Sequence, residues 1–181
     1  MCSEFDIIRR YFSRPTTDAV LGIGDDAALI APAAQTELAI STDTLVCGTH
    51  FFADADPYKL GYKSLAVNLS DMAAMGAKPR WALLSLTLPD DLVRHNQIWL
   101  SEFSKGFFAL ADLYHVELIG GDTTSGPLNI GVQILGEVAE GNFKLEYSGW
   151  LRVVGGNRDA PEHLGWPEPI DCGSGTRRES G

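Results

Sequence analysis

The stretch that decides the fold is Asn68–Leu88, NLSDMAAMGAKPRWALLSLTL, in which a helical pattern gives way to a strand. Apolar residues recur every three or four positions up to Met72, and Gly76 is of the residue type that most often follows the last turn of a helix. Every second residue from Ala82 to Leu88 is then apolar, which is typical of a mostly buried strand. A buried strand directly after an amphipathic helix indicates an α/β or α+β domain.

The same two periods predict the elements on either side of this stretch. Helical spacing predicts helices over residues 5–12, 57–76 and 100–114. Alternation predicts strands over residues 38–43, 82–88, 116–119 and 128–134, the last of which is expected to end near Gly136. Asp56 is expected to cap the second helix, and the strand over 116–119 is expected to end at the glycine pair Gly120-Gly121. No internal repeat is present, so helices and strands belong to one mixed fold.

Length and charge bound the function. The chain of 181 residues is long enough for one hydrophobic core and too short for two full-sized domains. Residues 1–141 carry 9 basic and 18 acidic residues, whereas residues 142–181 carry 5 and 6 and are rich in glycine and proline. We therefore expect a folded domain over residues 1–141 and an irregular or divergent tail over residues 142–181. The net charge of −10 has the wrong sign for binding nucleic acid or anionic lipid, and no apolar run reaches the ~18 residues of a membrane helix.

The cysteines and the amino terminus indicate a reducing compartment. Cys2, Cys47 and Cys172 form no C-x-x-C pair, and their odd number argues against a disulfide framework. Cys47 is best explained as a small core residue. The first residues are acidic, where an export signal would be basic and then apolar. We expect the protein to be cytoplasmic.

Four short segments place an aspartate beside glycine, serine or threonine where an element begins or ends. They are Gly22–Asp26, Ser41–Asp43, Asn68–Asp71 and Gly120–Thr124. Any one aspartate alone is explained as ordinary turn chemistry or a solvated helix face. Asp71 is the least turn-like, because it follows Ser64 and Asn68 in a polar stripe on a helix that is otherwise apolar nearly all round. Such a stripe is either exposed to solvent or buried with partners.

If several of these carboxylates converge, they repel one another and any phosphate. None of the four segments contains a lysine or arginine to compensate. Divalent cations resolve this conflict, because Mg²⁺ takes one or two carboxylates together with water and substrate phosphate oxygens. The hypothesis is therefore a metal-bridged site for phosphoryl transfer.

Other motifs are weaker. Gly22-x-Gly24-x-x-Ala27 matches a loose dinucleotide fingerprint, but that motif must open a long helix and Pro32 leaves room for only a few residues. The chain contains no G-x-x-x-x-G-K-[ST] motif. His50 stands alone, and a lone histidine is more often structural or exposed than catalytic.

Four segments, taken together in this order and spacing, resemble thiamine-monophosphate kinases. They are Gly22–Ala28 (GIGDDAA), Ser41–Phe51 (STDTLVCGTHF), Asn68–Pro79 (NLSDMAAMGAKP) and Leu118–Thr124 (LIGGDTT). The resemblance covers about residues 3–141 and extends at most to Ser148-Gly149. The wider superfamily includes aminoimidazole-ribonucleotide synthetase, selenophosphate synthetase and a hydrogenase-maturation protein. It implies a mixed, largely antiparallel sheet flanked by helices, as in the amino-terminal domain of aminoimidazole-ribonucleotide synthetase, which dimerises through its sheet.

The resemblance also implies a reaction and a set of roles. Such kinases transfer the γ-phosphoryl group of ATP, with several Mg²⁺ ions, to thiamine monophosphate and give thiamine diphosphate. The implied metal ligands are Asp26, Ser41, Thr42, Asp43, Asp71 and Asp122. The implied nucleotide contacts are Tyr114, Gly121 and Asp122, and the implied substrate contact is His50. The implied partners are ATP, thiamine monophosphate and a second copy of the chain.

The chain departs from the family pattern after residue 141. Tyr147-Ser148-Gly149-Trp150 stands where the family has an Arg-Ser-Gly-Ala segment, and we expect the second domain of the family to be missing from this chain. Three interpretations stay open. The chain is a thiamine-monophosphate kinase or its amino-terminal half, a non-catalytic dimerising domain that binds metal and nucleotide, or a sister ATP-dependent synthetase with another small substrate.

Overall fold

The computed structural model describes residues 4–95, 97–147 and 150–153. Its helices are α1 (Glu4–Ile7), which continues as a π-helical turn over Ile8–Phe12, α2 (Pro57–Met75), α3 (Asp90–His95) and α4 (Gln97–Tyr114). Its strands are β1 (Thr36–Val46), β2 (Lys78–Leu88), β3 (Glu117–Ser125), β4 (Asn129–Ala139), β5 (Lys144–Tyr147) and β6 (Trp150–Val153). Within the described part, each helix is too short or too polar to span a lipid bilayer.

The main sheet has four strands in the order β1-β4-β2-β3. β4 pairs antiparallel with both β1 and β2, and β3 pairs parallel with β2. β5 and β6 form a separate antiparallel pair. Helix α2 packs on β1 and β4, and α4 packs on α2 and β3, so one face of the sheet is covered. The prediction of a mixed, largely antiparallel sheet with flanking helices is confirmed.

Helix α2 begins and ends where the sequence predicts. The side chain of Asp56 accepts a hydrogen bond from the Lys59 N–H at 2.9 Å, and Gly76 adopts a left-handed conformation with φ of 69°. Helix α2 packs closely against α4 at Gly61 of α2 and Gly106 of α4. A Cβ atom on Gly61 would lie 2.0 Å from the Phe103 carbonyl oxygen, and the backbones of α2 and α4 therefore touch.

All four predicted strands are longer in the structure, and β2 begins at Lys78 rather than at Ala82. β3 does not end at Gly120-Gly121 but runs on to Ser125, because its pairing with β2 continues through the polar residues. β1 extends to Val46, so Ser41–Asp43 lie in mid-strand rather than at its end. β4 likewise continues to Ala139, beyond its predicted end near Gly136. Helix α3 was not predicted, since its six residues are too few for a helical period to show. The tail predicted over residues 142–181 lies mostly outside the described residues.

Candidate functional site

One row of residues crosses the sheet on the face that α2 and α4 leave open. Thr44 pairs with Gly131, Gly131 with Ser85, and Ser85 with Asp122. Residues paired in this way project from the same face of a sheet. All four line a pocket of about 730 Å³. The residues that flank them along β2 and β4, such as Leu84 and Val132, are buried.

The loop Gly22–Ala28 contributes the other side of this pocket. Its base is closed by Leu21 and Leu29, whose backbones exchange hydrogen bonds of 3.1 and 2.9 Å. Asp25 accepts a hydrogen bond from the Asp26 N–H at 2.9 Å, and both residues are exposed on the pocket lining. The structure therefore brings Asp26 and Asp122, which are far apart in the sequence, to one pocket.

A second acidic group lies between β1 and α2. The Ser41 hydroxyl donates a hydrogen bond to Oδ2 of Asp71 at 2.5 Å, and Asp71 is half-buried. Ser64 and Asn68, which precede Asp71 in the polar stripe, are 1% and 0% exposed. The stripe therefore faces the protein interior, and its alternative interpretation as a solvated helix face is wrong. Asp43 is two residues from Ser41 and so projects from the same, helix-facing side of β1.

The predicted ligand triplet Ser41-Thr42-Asp43 is divided between the two faces of the sheet. Thr42 projects toward the pocket and is one of its lining residues, while its hydroxyl donates to the Val132 carbonyl oxygen at 3.2 Å. This division follows from the mid-strand position, because successive side chains of a strand point to opposite faces.

Asp43 of β1 and Asp122 of β3 are too far apart to share a single ion. Asp43 is in register with Val132, then Leu84, then Gly121, so three strand spacings of about 4.8 Å separate β1 from β3 by about 14 Å. Ligand oxygens lie about 2.1 Å from a Mg²⁺ ion. Consistent with this separation, no cluster of three His, Cys, Asp or Glu side chains suited to one metal occurs among the described residues. The predicted metal ligands are all carboxylate or hydroxyl oxygens, with one or two carboxylates available to each ion. This fits Mg²⁺, which keeps several water ligands.

His50 and Tyr114 lie apart from the pocket lining. His50 is exposed in the turn after β1, where its Nδ1 accepts a hydrogen bond from the Val46 N–H at 3.0 Å and its carbonyl oxygen accepts one from Lys63 at 2.9 Å. Tyr114 is the last residue of α4, 50% exposed, at the end of the sheet opposite to His50. Cys47 is partly buried against the core, as predicted.

Gly121 is required by local geometry. Its φ is 147°, and a Cβ atom there would lie 1.9 Å from the carbonyl oxygen of Leu84. The backbones of β2 and β3 thus approach so closely that only glycine fits beside Asp122.

Comparison with known proteins identifies the family. Residues 24–138 match the family described as AIR synthase related protein, N-terminal domain. The chain belongs to this family. Thiamine-monophosphate kinase of Escherichia coli (strain K12) is 50% identical over 171 residues, which cover 90% of this chain and 51% of that protein. The predicted resemblance is confirmed, and it covers more of the chain than residues 3–149.

Solved structures agree with this AIR synthase related fold. A thiamine-monophosphate kinase from Stenotrophomonas maltophilia superposes with a TM-score of 0.64 and 47% identity, over 76% of this chain and 42% of that one. AaThiL, complexed with AMPPCP and TMP, superposes with a TM-score of 0.57 and 32% identity, over 62% of this chain and 35% of that one. The chain spans about half the length of the curated relatives it matches.

Sequence reasoning missed part of the pocket of this AIR synthase related domain. Thr44, Ser85 and Gln133 line it and were not predicted, and Asp25, which belongs to a predicted acidic segment, was given no role of its own. Ser85 carried a signal, because it is a polar residue at an alternating position of an otherwise apolar strand. Its place beside Asp122 depends on the pairing of β2 with β3, which no local pattern encodes.

Proposed function

We propose that this chain is the metal- and nucleotide-binding half of an ATP-dependent thiamine-monophosphate kinase, which transfers the γ-phosphoryl group of ATP to thiamine monophosphate. The observation that carries the proposal is the convergence of Asp26 and Asp122, with Gly121, on one 730 Å³ pocket. The identity to the Escherichia coli kinase and the superposition on AaThiL, complexed with AMPPCP and TMP, support the choice of substrates.

The proposed metal ligands form two sets on the two faces of the sheet. Asp26, Thr42 and Asp122 would hold Mg²⁺ at the pocket, and Ser41, Asp43 and Asp71 would hold it beside α2. Bound Mg²⁺ supplies positive charge that neutralises the phosphates of ATP. Tyr114, Gly121 and Asp122 are the proposed nucleotide contacts, and His50 is the proposed substrate contact.

The catalytic role that we propose for these residues is to position the phosphate groups of the two substrates. The acceptor is a phosphate oxygen that already carries negative charge, so the chain needs no strong general base. Its residues instead fix the two phosphate groups in line and exclude competing arrangements. This agrees with the pocket, whose lining includes aspartates, hydroxyls and backbone but neither lysine nor arginine among the described residues.

The proposal includes a homodimer formed through the open face of the sheet, in the cytoplasm. Leu38 and Ile40 project from the same face of β1 as Thr42 and are 40% and 58% exposed. A second copy of the sheet would cover them. Sedimentation at micromolar concentration tests this, and a monomer would count against it.

Metal-dependent nucleotide binding tests the proposal directly. We expect AMPPCP, titrated calorimetrically, to bind in the presence of Mg²⁺ and to lose at least about tenfold in affinity when EDTA removes the metal. Asp122→Asn should reproduce most of that loss. Asp112→Asn is the matched control, because Asp112 pairs with Arg14 on the exposed surface of α4, away from the pocket. Binding that is indifferent to EDTA would contradict a metal-bridged site.

Turnover separates the remaining alternatives. Formation of thiamine diphosphate by this chain alone would establish a complete kinase. Binding of Mg-AMPPCP without turnover of Mg-ATP and thiamine monophosphate would favour a non-catalytic binding domain, which the half-length match to the relatives makes the second candidate. ATP hydrolysis stimulated by an aminoimidazole precursor would favour a sister synthetase.

A further inference from the structure

The segment from Thr17 to Ala33 carries Asp25 and Asp26 to the pocket. Its own backbone closes at the base of the loop, where the Leu29 carbonyl oxygen accepts hydrogen bonds from the Val20 and Leu21 N–H groups at 2.8 and 3.1 Å. Asp25, Asp26 and Asp122 are like charges that line one pocket, so in the absence of metal their mutual interaction does not favour this position of the loop. Something outside the loop must therefore hold it against the sheet.

The first end of the segment is held by Glu117 of β3. One carboxylate oxygen, Oε1, accepts hydrogen bonds from the Thr17 N–H at 2.5 Å, the Thr17 hydroxyl at 2.6 Å and the Asp18 N–H at 2.9 Å. The other, Oε2, accepts from the Ala19 N–H at 3.0 Å. Hydrogen bonds to an ionised acceptor are roughly twice as strong as those between neutral groups. A single carboxylate thus orders three consecutive residues.

The second end is held by Glu137 of β4, which is 8% exposed. Its Oε1 accepts a hydrogen bond from the Ala33 N–H at 2.7 Å, and its Oε2 forms an ion pair with Arg80 at 2.5 Å. Arg80 also pairs with Asp18 at 3.0 Å. The guanidinium therefore links the two ends of the segment through one buried and one exposed carboxylate.

We propose that Glu117 and the Arg80–Glu137 pair are positioning residues, which hold the segment over residues 17–33 so that Asp25 and Asp26 line the pocket. The consequence for metal and nucleotide rests on the proposed function. Glu117 and Asp122 lie five residues apart on β3, so the strand that supplies one pocket carboxylate also anchors the loop that supplies the others. Preorganisation of this kind removes the ordering cost from the binding step.

Hydrogen exchange and nucleotide titration of the full chain test this inference. Glu117→Gln keeps the shape of the side chain and removes its charge. We expect amides of residues 17–21 to exchange about tenfold faster in this variant, with α4 and β4 unchanged, and the affinity for Mg-AMPPCP to fall about fivefold to tenfold. Thr17→Ala removes a single exposed donor and should act in the same direction by less. Glu102→Gln is the control, because Glu102 pairs with Lys105 on the surface of α4.

The outcomes separate the inference from the proposed function. Exchange of residues 17–21 that is equal in wild type, Glu117→Gln and Thr17→Ala would overturn the anchoring, whatever happens to nucleotide binding. Faster exchange with unchanged affinity for Mg-AMPPCP would overturn the positioning role. If wild type fails to bind Mg-AMPPCP while Glu117→Gln releases the loop, the proposed function fails and the anchoring is supported. If Glu117→Gln unfolds globally, the Thr17→Ala comparison decides.

Discussion

Replacement of Gly121 by alanine should lower the free energy of unfolding of the domain, by an amount that follows from the φ angle of Gly121 and from its distance to Leu84. A non-glycine residue held at φ of 147° costs about 1–3 kcal/mol in backbone strain. The added Cβ atom would lie 1.9 Å from the Leu84 carbonyl oxygen, and relieving such an overlap typically costs a further ~1–3 kcal/mol. The alanine also restricts the unfolded chain, which offsets about 0.4–1 kcal/mol. We therefore expect the free energy of unfolding to fall by about 3 kcal/mol for Gly121→Ala.

Gly131→Ala is the matched control for this prediction. Gly131 also lines the pocket, on β4 in register with Ser85 and Asp122, but a Cβ atom there would be 3.6 Å from its nearest neighbour, the Ser85 Cβ, which is ordinary contact. Its free energy of unfolding should change by less than about 1 kcal/mol. Urea denaturation followed by circular dichroism measures both variants. Equal unfolding midpoints for the two variants would refute the close approach of β3 to β2 at Gly121.

Two further predictions concern single carboxylates. Asp71→Asn should weaken Mg-dependent binding of AMPPCP by at least about tenfold. It should lower the free energy of unfolding by no more than ~1 kcal/mol, because asparagine keeps an oxygen that can accept the hydrogen bond of the Ser41 hydroxyl. Wild-type affinity in the titration would remove Asp71 from the metal site. Partial burial acts to raise the pKa of Glu117, but hydrogen bonds from Thr17 and the two residues after it outweigh burial and hold that pKa below its ordinary range. The stability contributed by Glu117 is therefore present above the ordinary glutamate pKa of about 4.3 and is lost as the pH falls through the lowered value. The difference in free energy of unfolding between wild type and Glu117→Gln, from urea titrations at pH 6 and at successively lower pH, should shrink toward acid, and a constant difference would exclude this linkage.

Local sequence signals were sufficient to predict an element whose two ends are marked by capping residues next to it in the sequence. α2 was predicted because Asp56 and Gly76 cap it from within the chain. The sequence left two orientations open for its polar stripe, and the burial of Ser64 and Asn68 in the structure decides for the interior. β3 was predicted too short because Gly120-Gly121-Asp122 reads as a turn. In the structure, the parallel pairing with β2 overrides that tendency and keeps these residues in the strand.

The sequence predicted the aspartates of the candidate site, but it did not predict the residues that hold the loop carrying them. Asp26, Asp71 and Asp122 stand out because each sits beside small or hydroxyl residues. The residues that hold the loop leave no such signal, since the Glu117 carboxylate meets Thr17 from 100 positions away in the chain. In the sequence, Glu117 and Arg80 look like ordinary surface residues. Their contacts with the loop depend on the folded sheet.

The excess of acid determines how the proposed pocket can bind a polyphosphate. Among the described residues its lining includes Asp25, Asp26 and Asp122 and neither lysine nor arginine, so free ATP meets only negative charge there. The same carboxylates attract Mg²⁺, and each ion that they hold reverses the local sign. Net charge is the reason to expect no binding of nucleic acid, because that interaction depends on fixed basic side chains. It does not exclude a nucleotide that arrives with its metals, and the separation of about 14 Å between β1 and β3 means that more than one ion is needed to use all the proposed ligands.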